Sequence, residues 1–182
     1  MSIDKKAAVT TPGSEAPAKV TFYFPVATLF ASISARSMMV AEKINNADGN
    51  PAIDEYGISD DEQELIETVY LRNAFNAVFG LLDKLTFGLT STDLYNATYT
   101  DSTSADKGVC VAKTILDKKG YQTDSLNAID NLLEEMIKAH ILNAWFKNCS
   151  LSNQALEFEN EFLKAKKDFL IKRTKLYKPS LA

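Results

Sequence analysis

The chain has 182 residues, 46% hydrophobic and 10% aromatic, which suits one globular domain with a sizeable core and excludes a wholly disordered chain. Its 20 basic and 24 acidic residues give a net charge of −4, against a broadly basic surface built for non-specific nucleic-acid binding. Two distant cysteines, Cys110 and Cys149, form no CxxC pair and fit a reducing intracellular compartment better than a disulfide scaffold.

No 18-residue apolar run occurs, and the two early lysines precede no apolar stretch, so neither a membrane span nor a secretory signal is expected. The expectation is a soluble, non-secreted protein in which the sequons at Asn96 and Asn148 carry no glycosylation meaning.

Residues 1–19 are rich in Ala, Pro, Ser, Thr and Lys without periodicity and read as a flexible arm. "VTFYFP", Val20 to Pro25, is aromatic and β-prone, and Pro25 ends it. In "VATLFASISARSMMVAEKI" the apolar residues Leu29, Phe30, Ile33, Met38, Val40, Ala41 and Ile44 trace a helical stripe that should stop near Asn45 and Asn46. "NADGNPAIDE" imitates part of a calcium loop through Asp48, Gly49 and Glu55. Its first ligand position would be Ile44 and Pro51 interrupts it, so an ordinary turn is the better reading.

Ser59 and Glu62 have the spacing of a capping box, and Asp60, Asp61, Glu62 and Glu64 crowd a first turn where the helix dipole favours negative charge. From there Leu65, Ile66, Val69, Tyr70, Phe75, Val78, Phe79, Leu82 and Leu85 recur at helical spacing to about Phe87, with Gly88 as the stop. The acids need no catalytic explanation. Residues 90–123 change character: "LYNATYT" and "GVCVAKTIL" flank the polar "DSTSADKG" and predict a β-hairpin insertion that needs support from helices or a neighbouring subunit.

A third helix starts at Asp124 or Ser125, with Leu126, Ile129, Leu133, Met136, Ile137, His140, Ile141, Ala144 and Trp145 on one stripe. After "NCSLSN", Ser152 or Asn153 caps a fourth helix with the apolar line Leu156, Phe162, Leu163, Phe169 and Leu170, which ends before Pro179. The fold class is therefore mainly α: a bundle of about four helices, a small β-hairpin insertion and extended N- and C-terminal arms. It is organised as arm 1–19, a single helical domain 20–179 and a tail 180–182.

His140, Trp145 and Phe146 belong to the core helix, with His140 a satisfied core or interface residue. As the only histidine, it would have to serve any Ser/His or Cys/His chemistry, and its ring lies on the apolar stripe. Too few ligands exist for a structural zinc site, and no Gly-rich phosphate cradle is present. No catalytic, cofactor or metal residue is assigned, and a non-enzyme is expected. Lys164, Lys166, Lys167, Lys172, Arg173, Lys175 and Lys178 exceed what one helix C-terminus requires, making them candidates to face DNA or an acidic partner.

The order of features carries a resemblance. An acidic-capped helix "SDDEQELIETVYLRNAFNAVFGLL", a β-like polar insertion, "LLEEMIKAHILNAWFKNC" and a final helix "FENEFLKAKKDFLIKRTKLY" together resemble the helical connector proteins of tailed bacteriophages. These are the adaptor or head-completion proteins that form a ring beneath the portal, and the likeness is nearest to those of Bacteroidota phages, including the crAss-like group. It spans about residues 59–179. The pair Trp145 and Phe146, ending a helix before a polar break and a Lys- and Arg-rich last helix, matches the family pattern; residues 1–58 are longer than in its shortest members.

The resemblance implies a non-enzymatic virion protein of the neck, assembled in the host cytoplasm as a ring in the portal's twelvefold symmetry. Portal and tail or neck proteins would be its partners, with packaged DNA in the lumen. Phe22, Tyr23, Phe24, Tyr95, Tyr99, Tyr177 and Leu181 are then the expected inter-subunit contacts. The competing expectation is a cytosolic helical adaptor or regulatory module with one partner groove.

Overall fold

In the computed structural model of the chain, the structure describes residues 8–10, 18–81, 95–99, 109–116 and 123–174. The fold is mainly α. Strands β1 (Ala8–Thr10) and β2 (Ala18–Pro25) precede helix α1 (Val26–Ala41) and the short α2 (Ile53–Tyr56). A continuous helical rod follows: a 3₁₀ turn (Asp60–Glu62), α3 (Gln63–Leu65), a π turn (Ile66–Tyr70) and α4 (Leu71–Phe79). Strands β3 (Tyr95–Tyr99) and β4 (Val109–Leu116) come next, then the long helices α5 (Thr123–Asn148) and α6 (Ser152–Thr174).

The expected hairpin is β3 paired antiparallel with β4, Tyr95 opposite Thr114 and Tyr99 opposite Cys110. It is part of something larger: the antiparallel order is β1-β2-β4-β3, with Phe22 opposite Ala112 and Phe24 opposite Cys110. The 1–19 segment is therefore not all a flexible arm, because Ala8–Thr10 pairs with Lys19–Thr21. Backbone pairing with a neighbouring strand orders a segment too polar to order itself by burial. Phe22 and Phe24 are two apart on β2, share its inner face and are fully buried; Phe24 meets Phe75 of α4 edge-on at 5.8 Å.

Pro25 stands at the N-cap of α1, and the helix closes at Ala41, with Glu42 and Lys43 donating to Met38 and Val40. The following loop is an ordinary turn. The Asn46 side-chain oxygen accepts the Asp48 and Asn50 amides, both at 3.0 Å, and Gly49 takes φ of 79°. Two serines of α1 then fasten the entry to the rod: the Ile58 amide donates to Ser37 Oγ at 2.8 Å, and Ser34 Oγ donates to the Ile58 carbonyl at 2.6 Å. This places Ser59 at the cap. Its amide donates to Glu62 and its hydroxyl accepts from Asp61, completing the capping box.

The π turn corrects the rod's expected apolar line. Leu71 donates to the carbonyl of Ile66, five residues back, so one extra residue is wound in and the buried sequence becomes Ile66, Leu71, Ala74, Phe75, Val78. Leu65 and Val69 are turned out, 45% and 46% exposed. The rod also ends earlier than the expected Phe87. At Gly80 the last turn tightens, Leu81 donating to Val78 at 2.9 Å, and residues 82–88 lie outside the described part.

Helix α5 forms the centre. Leu126, Ile129, Leu133, Met136, Ile137, Ile141, Leu142 and Phe146 are buried against α1, α4 and α6. Helix α6 packs along it through Ala155, Phe158, Ala165 and Phe169, spaced three, seven and four residues apart. The expected line through Leu156 and Leu163 is therefore wrong: these two are 55% and 52% exposed, because two alanines permit the close approach instead.

The α5–α6 corner is a Schellman motif. Leu151 donates to Phe146 at 2.9 Å and Ser150 to Lys147 at 3.0 Å, with Ser150 at φ of 61°. A left-handed residue bearing a Cβ carries strain there. Ser150→Gly is expected to raise unfolding free energy by about 1 kcal/mol, and Ser150→Val to lower it by at least as much, as read by urea denaturation.

Candidate functional site

The segment around the unique histidine and tryptophan is a junction between helices. Phe146 is fully buried and stacks on Phe158 of α6, ring centroids 5.6 Å apart. Trp145 is half-buried: its indole N–H donates to the Tyr56 carbonyl at 2.8 Å and its ring meets Tyr70 edge-on at 6.1 Å. Asn148 donates to the Tyr70 hydroxyl. One helix end thus ties α2, the π turn and α5 together.

Of the two readings expected for His140, core or interface, the fully buried core one is corrected. His140 is half-buried on α5, edge-on to Phe162 of α6 at 5.9 Å, and its Nδ1 has no hydrogen-bond partner among the described residues. Burial lowers its pKa, with Lys147 adding to the effect. Among the described residues no carboxylate orients the imidazole as it would a catalytic base. Cys149 is not an activated thiol: burial, helped by Glu55, pushes its pKa up.

Among the described residues, two grooves flank α5. The first, about 550 Å³, lies between α1, α5 and α6 and is walled by charge. Arg36 sits 2.6 Å from Glu161, 3.8 Å from Glu135 and 5.2 Å over the Phe158 ring, and Lys138 sits 3.1 Å from Glu134 and 2.7 Å from Glu135. Asp130, Glu134 and Lys138 are buried, although all three stand on a helix whose exposed positions alone should be charged. Sequence reasoning missed them. The one available signal was the i, i+4 spacing of Glu134 and Lys138, which an exposed ion pair would share.

The second groove, about 380 Å³, lies between the rod and α5, walled by Leu65, Val69 and Tyr70 on one side and His140, Ala144 and Asn148 on the other. Its apolar rim is the part of the rod that the π turn displaced. Further exposed apolar side chains, Leu156, Leu163 and Ile171, line the outward side of α6.

The expected inter-subunit residues divide. Phe22 and Phe24 are corrected to core residues, since the two-residue period of β2 turns both inward. Tyr23 stands on β2, and Tyr95 and Tyr99 on the edge strand β3, with side chains outside the described part. Tyr177, Leu181, Lys175 and Lys178 lie outside the described residues. Of the basic set, Lys164, Lys167 and Lys172 are exposed, Lys166 and Arg173 half-buried, all on α6. Among the described residues no three acidic, cysteine or histidine side chains gather as metal ligands, and no helix is long and apolar enough to cross a membrane.

No family model, curated protein or solved structure matches this chain.

Trp145→Ala is expected to lose about 3 kcal/mol of stability, and Trp145→Phe about 1 kcal/mol for the indole hydrogen bond alone, by chemical denaturation. His140 adds a pH dependence. The unfolded imidazole, with its ordinary pKa of 6.5, takes up a proton before the folded one does as pH falls. Stability should therefore decline from about pH 6.5 down to the lower folded pKa, and His140→Gln should flatten the wild-type curve across that window.

Proposed function

We propose that the chain is a non-enzymatic structural subunit of a tailed-bacteriophage neck, forming a ring beneath the portal that joins capsid to tail around the DNA channel. The observation that carries the reading is a subunit that completes its own core yet, among the described residues, leaves two groups of apolar side chains in solvent besides the single Met39 of α1, one at Leu65 and Val69 and the other at Leu156, Leu163 and Ile171. Surfaces of this kind are expected of protein interfaces. Two different ones on one molecule suit head-to-tail repetition, which closes into a ring when the rotation permits. The feature order of residues 59–179, with Trp145 and Phe146 before the break and the basic α6 after it, supports connector proteins as the class.

In this reading the portal and the tail or neck proteins are the axial partners, and twelve is the expected count. The virion neck is the place of action, and packaged DNA the content of the lumen. The mass of the purified chain, alone and after mixing with candidate portal rings, tests it. Ring-sized particles or a portal-bound species with twelvefold averages in electron micrographs are expected. A chain that stays monomeric and ignores every portal would overturn the reading in favour of a cytosolic helical adaptor.

A further inference from the structure

The two uncovered apolar surfaces differ in the charge that surrounds them. The rod side is acidic toward its start: residues 44–71 carry eight carboxylates and no base, and the exposed Arg72 follows beside the groove-lining Asn73. Asp60, Asp61 and Glu64 stand exposed in the turns that lead to Leu65. The α6 side is basic where its apolar residues are densest: residues 162–174 carry five bases against the single Asp168. Lys164 and Lys167 flank Leu163, and Lys172 adjoins Ile171, which is 42% exposed. Each surface presents what the other lacks.

We infer that the outward stripe of α6 in one copy, centred on Leu163 and Ile171, docks into the rod–α5 groove of the next copy, against Leu65, Val69 and Ala144. The inference rests on the ring reading and specifies its contact. Leu163 and Ile171 stand about 12 Å apart along the helix. A helix laid along the groove places both on apolar wall while its lysines reach Asp61 and Glu64. The attraction steers encounter and fixes direction, because acidic meets basic in only one of the two orders.

An α6-to-α6 pairing would be the isologous alternative. Reversed, it would set Glu157 and Glu159 against the basic half of its mate, but it would leave the rod groove empty and produce a closed dimer. The heterologous contact covers both surfaces in every interior subunit and never uses the same patch twice.

Full-length Leu163→Lys and Val69→Lys chains, with helicity checked by circular dichroism, separate the possibilities by mass photometry, alone and on portal rings. Each variant alone is expected to remain monomeric at concentrations where the wild type assembles. Their equimolar mixture should give one-to-one complexes and nothing larger, since only one stripe and one groove remain intact. Self-association should weaken at least tenfold between 50 mM and 500 mM salt. A Cys110→Ser, Cys149→Ser background supplies the second readout. A Leu163→Cys chain should form a disulfide with a Val69→Cys chain and not with itself.

A wild type that assembles while both lysine variants assemble equally well would overturn the docking and leave the ring reading intact. A wild type monomeric under all conditions would remove the ring reading and the docking with it. Leu163→Cys dimers formed without the Val69→Cys chain would overturn the docking in favour of the isologous pair. An intrachain Val69→Cys to Leu181→Cys bond would overturn it by placing the chain's own tail in the groove.

Discussion

Burying one helix on nearly all sides is the constraint from which the rest of this structure follows. Helix α5 turns Leu126, Ile129, Leu133, Ile137, Leu142 and Phe146 in different directions, so it needs neighbours around it, and α1, α4 and α6 supply them. An outer helix packed on a single central one can cover only part of its own circumference. On the face opposite that contact, polar residues are the stable choice. The rod and α6 depart from that choice at Leu65, Val69, Leu156, Leu163 and Ile171.

The two grooves beside α5 behave differently because their walls are satisfied differently. In the charged groove, Arg36 already bridges three helices through Glu161, Glu135 and the Phe158 ring, and Lys138 is held by its own helix. The partly exposed Arg36 pairs contribute about 0–1 kcal/mol each, but they orient α6 against α1 and α5, and with Lys138 they leave little charge for a partner to neutralise. The apolar groove has no such internal answer. Its Leu65 and Val69 gain from losing water, on the order of 25 cal/mol per Å² of apolar area, and nothing among the described residues of the same chain removes that water.

The sequence pattern was legible wherever a local rule decides the outcome. Ser59 and Glu62 announce the cap because both halves of the reciprocal bond lie within one turn. The hairpin pairs as alternation predicts, for the same reason, whereas α6 takes Ser152 and Asn153 into its first turn and starts from Leu151, whose carbonyl accepts the Ala155 amide. Three features escaped because their causes are tertiary. The π turn at Ile66–Tyr70 adds a residue without any sequence mark, and it rotates Leu65 and Val69 from core to surface. Ala155 and Ala165 carry helix contact through smallness, a property that hydropathy counts for little. Phe22 and Phe24 read as contacts between subunits until β4 flanks their strand and α4 covers its inner face. The candidate surfaces were therefore half legible: the basic α6 showed plainly, whereas the groove that suits it exists only after the π turn has been made.

A net charge of −4 conceals a strongly divided molecule. The eight carboxylates of residues 44–71 and the five bases of residues 162–174 belong to different elements, with Asp60, Asp61 and Glu64 leading to Leu65 and with Lys164, Lys167 and Lys172 beside Leu163 and Ile171. A chain with one mixed surface gains nothing from directional contact with its copies, because every orientation presents the same average field. A chain whose acidic and basic surfaces are separate distinguishes head from tail, and attraction then favours contacts that repeat in one sense. Closure into a ring rather than growth into a filament is set by the angle between the two surfaces, which the packing of the rod and α6 on either side of α5 holds rigid. The same buried helix that forces the bundle to surround it thereby also fixes the geometry with which one subunit would follow another.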